Sequence, residues 1–455
     1  MKKRLIIILT IFISLINIYN LSFAEDNLTL TTSETLITND TISDVSDPNF
    51  TIYSDGAILI DSKTGNILAQ KDMDKQLYPA STTKILTAII AIEKLSLDEV
   101  LTASYTAVMS IPSGYSNAGI KEGEQFTVSD LLDMFLIHSA NEIGYIFAEH
   151  ISGNISEFAN LMNEKAKELG CKNTHFTNPS GIQDPEHYST AYDMAQIARY
   201  CMKNETFRNI VNKESCKIAA TPLYPEERYF KNTNSLLDSS NRYYYEYAIG
   251  VKTGFTSQAK NCLIACSVKD GVELIAVLLG AEATETGLSG RYMDAINLFN
   301  YGFENYKIKN FLDANTVIQE LQIKNATKET KILNVVAKDS LSTLLPANYD
   351  VTNLQYSIEL KNDILAPIAK DSVLGKITYN IDGITYTSDL IASSDVLKSK
   401  VMITILQVLL AIVILFILAM LISPKNGKKK KRNKKYKNNL KNTSDFNSIY
   451  KFKIE

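Results

Sequence analysis

A serine followed three residues later by a lysine places a hydroxyl and an amine one helical turn apart on one face, so a desolvated amine can take the serine proton as the oxygen attacks a carbonyl. The 455-residue chain has that spacing three times, at Ser81-Thr-Thr-Lys84, Ser257-Gln-Ala-Lys260 and Ser448-Ile-Tyr-Lys451. Only Ser81 opens a strongly apolar helical pattern, in which Ile85, Leu86, Ala88, Ile89 and Ile92 recur at helical spacing as far as Lys94. The N–H groups and dipole of a helix start favour a developing oxyanion there. Ser257 follows an expected strand, and Ser448 lies in a polar tail without an apolar helix. Standing alone, the first motif would read as a helix cap ahead of a solvent lysine.

Two further triplets change that reading, because one lysine cannot position the nucleophile, shuttle protons and hold an anionic substrate at once. Ser139-Ala-Asn141 follows an apolar run over 131–137, whereas the second match, Ser152-Gly-Asn154, is a polar turn between helices. Lys63-Thr-Gly65 sits in an expected hairpin turn. Lys252-Thr-Gly254 instead continues a strand after Ile249-Gly250-Val251. A glycine at 254 lets a substrate backbone come close, and Lys252 with Thr253 can hold a carboxylate.

With these triplets in order, the sequence resembles the serine D-alanyl-D-alanine carboxypeptidases, the low-molecular-mass penicillin-binding proteins. The likeness extends to Tyr78-Pro-Ala-Ser-Thr-Thr-Lys84, Gly123-Glu124, the stretches 131–141 and 161–170, Thr174-His-Phe-Thr-Asn-Pro179, His187-Tyr-Ser-Thr190, Asn232-Thr-Asn234 and 250–256. Glu142-Ile143 stands where the family usually has Asp-Ala, and Asn178-Pro-Ser-Gly-Ile182 replaces a common Asn-Pro-His-Gly-Leu. The resemblance implies that Ser81 forms an acyl-enzyme with a peptidoglycan stem peptide and releases D-alanine, with Lys84 as base. It further implies that Ser139 and Asn141 relay the proton and position the amide, and that Lys252 and Thr253 bind the terminal carboxylate. Gly254 admits the substrate, and the N–H groups of Ser81 and Phe255 form the oxyanion hole. β-Lactams would be covalent inhibitors, and neither metal nor organic cofactor is required. Two competing readings share the triplets: a β-lactamase, for which no separate class A glutamate motif is present, and a wall-binding or penicillin-sensing protein without turnover. D-Alanine release and the lifetime of the penicilloyl adduct separate the three.

The elements that must position these residues read as an α+β domain over 51–306. A hairpin spans 56–70, helices are expected over 81–94, 128–136, 155–169, 192–202 and 291–306, and strands over 261–269 and 272–279 flank Asp270-Gly271. This fits the family's β-lactamase/transpeptidase-like fold, an antiparallel sheet with helices. Short alternating strands over 307–397 suggest a small all-β domain, which resembles the family's second domain.

The flanks carry location. Residues 1–24 have a basic start, an apolar run and Ser22-Phe23-Ala24, the pattern of a cleaved secretory signal; 25–50, rich in Thr and Ser, is expected to be a flexible spacer. Residues 401–422 are long and apolar enough for a transmembrane helix, and the basic tail 423–455 orients it with the catalytic part outside the cell membrane. The formal charge of −3 hides a stretch, 25–400, with 32 basic and 48 acidic residues, a net of −16. That acidity argues against nucleic-acid binding, which relies on basic groups at phosphates. Five cysteines without a C-x-x-C pair and four histidines without H-E-x-x-H spacing give no support to a disulfide scaffold or a zinc hydrolase.

Overall fold

The computed structural model of the chain describes residues 48–422, so the expected signal, most of the spacer and the basic tail lie outside the described residues. Strands β1 (Gly56–Asp61) and β2 (Ile67–Lys71) form the expected hairpin. In its turn the Asp61 carboxylate accepts the N–H groups of Lys63 and Thr64 at 3.3 and 3.1 Å, so the first Lys-Thr-Gly is local turn chemistry. A short tight turn leads into helix α1 (Lys84–Lys94), followed by α2 (Asn141–Ser152) and α3 (Ala191–Met202). The chain then returns as β3 (Ala248–Thr256), β4 (Lys260–Lys269) and β5 (Val272–Ala281) before α4 (Gly290–Asn305).

These strands make one antiparallel sheet in the order β2-β1-β5-β4-β3, which puts β3 on an edge. Because side chains alternate along a strand, the sheet buries two faces. Ile58, Ile60, Cys262, Ile264 and Cys266 face the helices on the α1 side, while Ala57, Leu59, Leu263 and Ala265 pack under α4 with Leu298 and Phe299. Helix α1 is buried from Lys84 to Ala91, and each large aliphatic side chain so enclosed contributes roughly 1.5–3 kcal/mol. The turn that carries Ser81 is thereby anchored to a largely buried helix. All five cysteines are free thiols.

Strands β6 (Tyr306–Leu312), β7 (Val317–Gln322), β8 (Ile332–Ala337), β9 (Leu341–Pro346), β10 (Tyr356–Leu360), β11 (Val373–Ile381) and β12 (Ile384–Ala392) build the second, all-β unit. Five of them form a sheet in the order β7-β8-β12-β11-β10, and β6 pairs with β9. The β11–β12 hairpin turns at Asp382-Gly383, where both residues have positive φ, as that dipeptide allows. Helix α5 (Val401–Ile422) follows, with its described apolar side chains mostly exposed. Among the described residues, however, no helix is long and apolar enough to cross a membrane, so the expected transmembrane span is not shown by the structure.

Candidate active site

Pro79 begins a 3-10 turn, Ala80–Thr83, that runs directly into α1. The sequence pattern suggests an α-helix from Ser81; the first turn is tighter because both the N–H and the hydroxyl of Thr82 are drawn to Pro79 O, at 3.2 and 2.7 Å. Ser81 and Lys84 thus straddle a 3-10 to α junction, with Ser81 Oγ 2.9 Å from Lys84 Nζ. Two glycines permit the turn its place. A Cβ on Gly181, whose φ is +75°, would lie 1.8 Å from Ala80 O, and one on Gly254 would meet Pro79 O and Ser81 N at 3.0 Å. The β3 backbone at Gly254 therefore presses against the amide of Ser81.

Lys84 is wholly buried. Its Nζ donates to Asn141 Oδ1 at 2.7 Å and to the carbonyl of Ser180 at 2.6 Å. Burial pulls the amine's pKa well below its usual value, the nearby cation of Lys252 adds to that, and the carboxyl of Glu142 opposes it. A neutral amine has two hydrogens. In that form, with both given to Asn141 and Ser180, its lone pair would be left for the Ser81 hydroxyl, as a general base requires.

Asn141 opens α2. Its amide Nδ2 donates to Ser116 O at 2.8 Å, which fixes the side-chain orientation that points Oδ1 at Lys84. Ser139, buried at 5% exposure, occupies the left-handed position (φ +69°) that ends a π-helical turn over Met134–His138 and lets the chain reverse into α2. On β3, Lys252 is 1% exposed and donates to Thr253 O at 3.1 Å. Burial, then the Arg291 cation, lower its pKa to about 7. The Thr253 hydroxyl shares a 2.6 Å hydrogen bond with that of Thr233, and Phe255 stands exposed at the rim. Ser81, Lys84 and Asn141 are hydrogen-bonded together, and Lys252 lies close enough to perturb both Lys84 and His138, the neighbour of Ser139. The first and second triplets meet through the hydrogen bond of Lys84 to Asn141, and the third packs at Gly254 against the amide of Ser81. Ser152-Gly153-Asn154 is the break between two helices, and Ser257–Lys260 is the turn joining β3 to β4.

Several supporting residues carry no motif of their own. Arg291 Nη1 donates to Gly254 O at 3.2 Å from behind β3. Thr177 N–H donates to His187 Nδ1 at 3.1 Å, so the proton of this neutral, buried imidazole sits on Nε2, 2.8 Å from Thr83 Oγ1. Burial depresses the His187 pKa to about 3 and keeps that donor neutral. Glu142 accepts the Ala118 N–H at 2.6 Å, while its other oxygen is buried without a partner. Glu142 and His187 lie in stretches the sequence already singled out, whereas no spacing could have found Arg291, which reaches Gly254 from a distant helix.

A family model described as D-alanyl-D-alanine carboxypeptidase matches residues 41–283, and one described as penicillin-binding protein 5, C-terminal domain, matches 306–398. The chain belongs to the D-alanyl-D-alanine carboxypeptidase family, the low-molecular-mass penicillin-binding proteins. It is 31% identical over 357 residues to D-alanyl-D-alanine carboxypeptidase DacF of Bacillus subtilis, a match covering 77% of this chain and 87% of that one. Among solved structures it is similar to penicillin binding protein 5 from Haemophilus influenzae, with 28% identity and a TM-score of 0.58 over 78% of this chain and 100% of that one. The Streptomyces K15 DD-transpeptidase gives 32% identity and a TM-score of 0.51 over 57% and 100%.

Proposed function

We propose that the chain is a serine-type D-alanyl-D-alanine carboxypeptidase that trims peptidoglycan stem pentapeptides and is acylated by penicillins at the same hydroxyl. The observation that carries this reading is the buried amine of Lys84, held by two acceptors and 2.9 Å from Ser81 Oγ. Ser81 Oγ attacks the carbonyl between the last two D-alanines as its proton passes to Lys84. The new C–O bond gives a tetrahedral oxyanion facing the N–H groups of Ser81 and Phe255, donors of a kind worth about 2.7–4 kcal/mol each in a transition state. Collapse breaks the C–N bond, and the leaving amine takes a proton relayed through Ser139. Water, giving up a proton by the reverse route, cleaves the ester. Asn141 positions the amide, and Lys252 with Thr253 holds the terminal carboxylate, while Gly254, expected from the sequence to admit the substrate backbone, instead gives the Ser81 turn its close seat against β3.

The length of α5 and the sequence around it support a membrane location. Its 22 residues, at about 1.5 Å each, reach roughly 33 Å, enough for a hydrocarbon core. The described side chains make a shorter stretch, and the remaining positions of the run are also apolar in sequence. With a basic tail beyond it, α5 would anchor the enzyme in the cell membrane with its active site outside.

Full-length protein incubated with a stem pentapeptide should yield tetrapeptide and free D-alanine by mass spectrometry; a folded protein that releases neither would overturn the assignment. A pH profile tests the carboxylate site. Lys252 must be protonated to hold an anion, and with its pKa near 7, kcat/KM is expected to fall as the pH rises through about 7. In the bound state the substrate carboxylate favours the ammonium, so the same limb in kcat lies at higher pH. A limb at the same pH in both would remove Lys252 from that role.

A further inference from the structure

The lysines of the β unit are not spread evenly. Three segments, 323–331, 361–371 and 395–400, hold Lys324, Lys328, Lys331, Lys361, Lys370, Lys398 and Lys400 against Glu329, Asp363, Asp371 and Asp395, in a stretch (25–400) where acids outnumber bases 48 to 32. All seven lysines are exposed. The segments are joined at one end of the unit: Lys324 pairs with Leu365, Ala326 with Lys398 and Ile368 with Val396. Thr327 N–H donates to Leu397 O at 2.9 Å, and Ser399 N–H to Asn325 O at 2.7 Å. Exposed Leu365 and Leu397 stand among the lysines.

Helix α5 begins at Val401, so Lys400 alone separates it from the last of these hydrogen bonds. One extended residue spans about 3.3–3.6 Å, less than half the screening length of about 8 Å at physiological ionic strength. No linker exists to hold this end away from whatever the helix enters. We propose that the lysine-rich end of the β unit seats on anionic phospholipid headgroups of the bilayer that α5 enters, fixing the stance of the enzyme on its membrane. The inference rests on the membrane reading of α5. Lysines meet the phosphates, while Leu365 and Leu397 reach the interface between them. A basic side chain near an anionic leaflet strengthens binding by about fivefold.

The test uses the full chain in two kinds of vesicle, pure phosphatidylcholine and a mixture with phosphatidylglycerol, treated with a membrane-impermeant amine-acylating reagent. Lys324, Lys328, Lys331, Lys361, Lys370, Lys398 and Lys400 should react about fivefold more slowly in the anionic vesicles, and high salt should abolish the difference. Exposed Lys63 and Lys217, outside that end, should react equally in both. Converting Lys324, Lys328, Lys331, Lys361 and Lys370 to Gln should remove the lipid-dependent protection of Lys398 and Lys400. Extraction with alkaline carbonate separates the two layers of the reasoning. A chain that resists extraction yet shows equal labelling in both vesicles overturns the headgroup contact and leaves the anchor standing. A chain stripped off by carbonate overturns the anchor and the contact with it.

Discussion

Alanine at position 81 is expected to eliminate the covalent adduct with a fluorescent penicillin and to stop D-alanine release, with the melting temperature close to that of the parent. The side-chain bond lost is the one to Lys84 Nζ, and the amine keeps Asn141 Oδ1 and Ser180 O as acceptors. With those two acceptors kept, the amine stays hydrogen-bonded, so the cost to folding is small. The effect on chemistry is of another order, since removing a serine nucleophile elsewhere lowers kcat by about 2 × 10⁶. Lys84→Ala should keep the nucleophile but lose its base, slowing acylation by about 10²–10⁴. Intact-mass spectrometry after penicillin treatment decides both: an adduct on the Ser81→Ala protein would place the nucleophile elsewhere, and unchanged acylation of Lys84→Ala would deny the amine its role.

The second large effect is expected from Gly181→Ala, a change that adds only a methyl group. That Cβ would sit 1.8 Å from Ala80 O and 2.4 Å from Ala80 C, both backbone atoms, at a φ of +75°. No side chain can swing aside, so either the nucleophile turn or the 178–182 loop must move. Both outcomes displace groups around Lys84, because Ser180 O is one of its acceptors. Gly153→Ala is the control, having nothing within 4 Å and a similar φ of +80°. It should show only the left-handed penalty of roughly 1–2 kcal/mol. A fall in penicillin acylation of at least about 10²-fold is expected for Gly181→Ala, of the size that small misplacements of reacting groups produce, and none for Gly153→Ala. Equal acylation rates would show that the close approach has no bearing on the nucleophile.

What could be read from the sequence follows from how far each signal reaches. Ser81 and Lys84 were legible because their contact lies within one turn, and Lys252 could be told from Lys63 because one follows apolar strand residues and the other lies between two short strands. The helix Asn141–Ser152 was not legible. Its first turn is polar and Gly144 interrupts it, yet a Cβ on Gly144 would come within 2.4 Å of Ser180 Oγ, so tertiary packing sets that residue. The hairpin of Ser215–Ile218 with Arg228–Lys231 was hidden by a nine-residue connection; the buried ion pair of Arg228 with Glu124, 2.8 Å apart, ties it to the segment before Gln125. Ser180 illustrates a further limit. The contact to Lys84 uses its backbone carbonyl, so the departure from the family's histidine at that position leaves this contact intact.

The place of β3 at the margin of its sheet has one more consequence. Among the described residues no strand lies beyond it, so an arriving extended peptide could add there as a further strand, through main-chain groups other than the Gly250, Thr253 and Gly254 carbonyls that side chains already engage. An extended stem running along that margin would be gripped by its main chain before any side chain was sampled. Discrimination would then fall on the direction in which the guest lies and on the free carboxyl at its end.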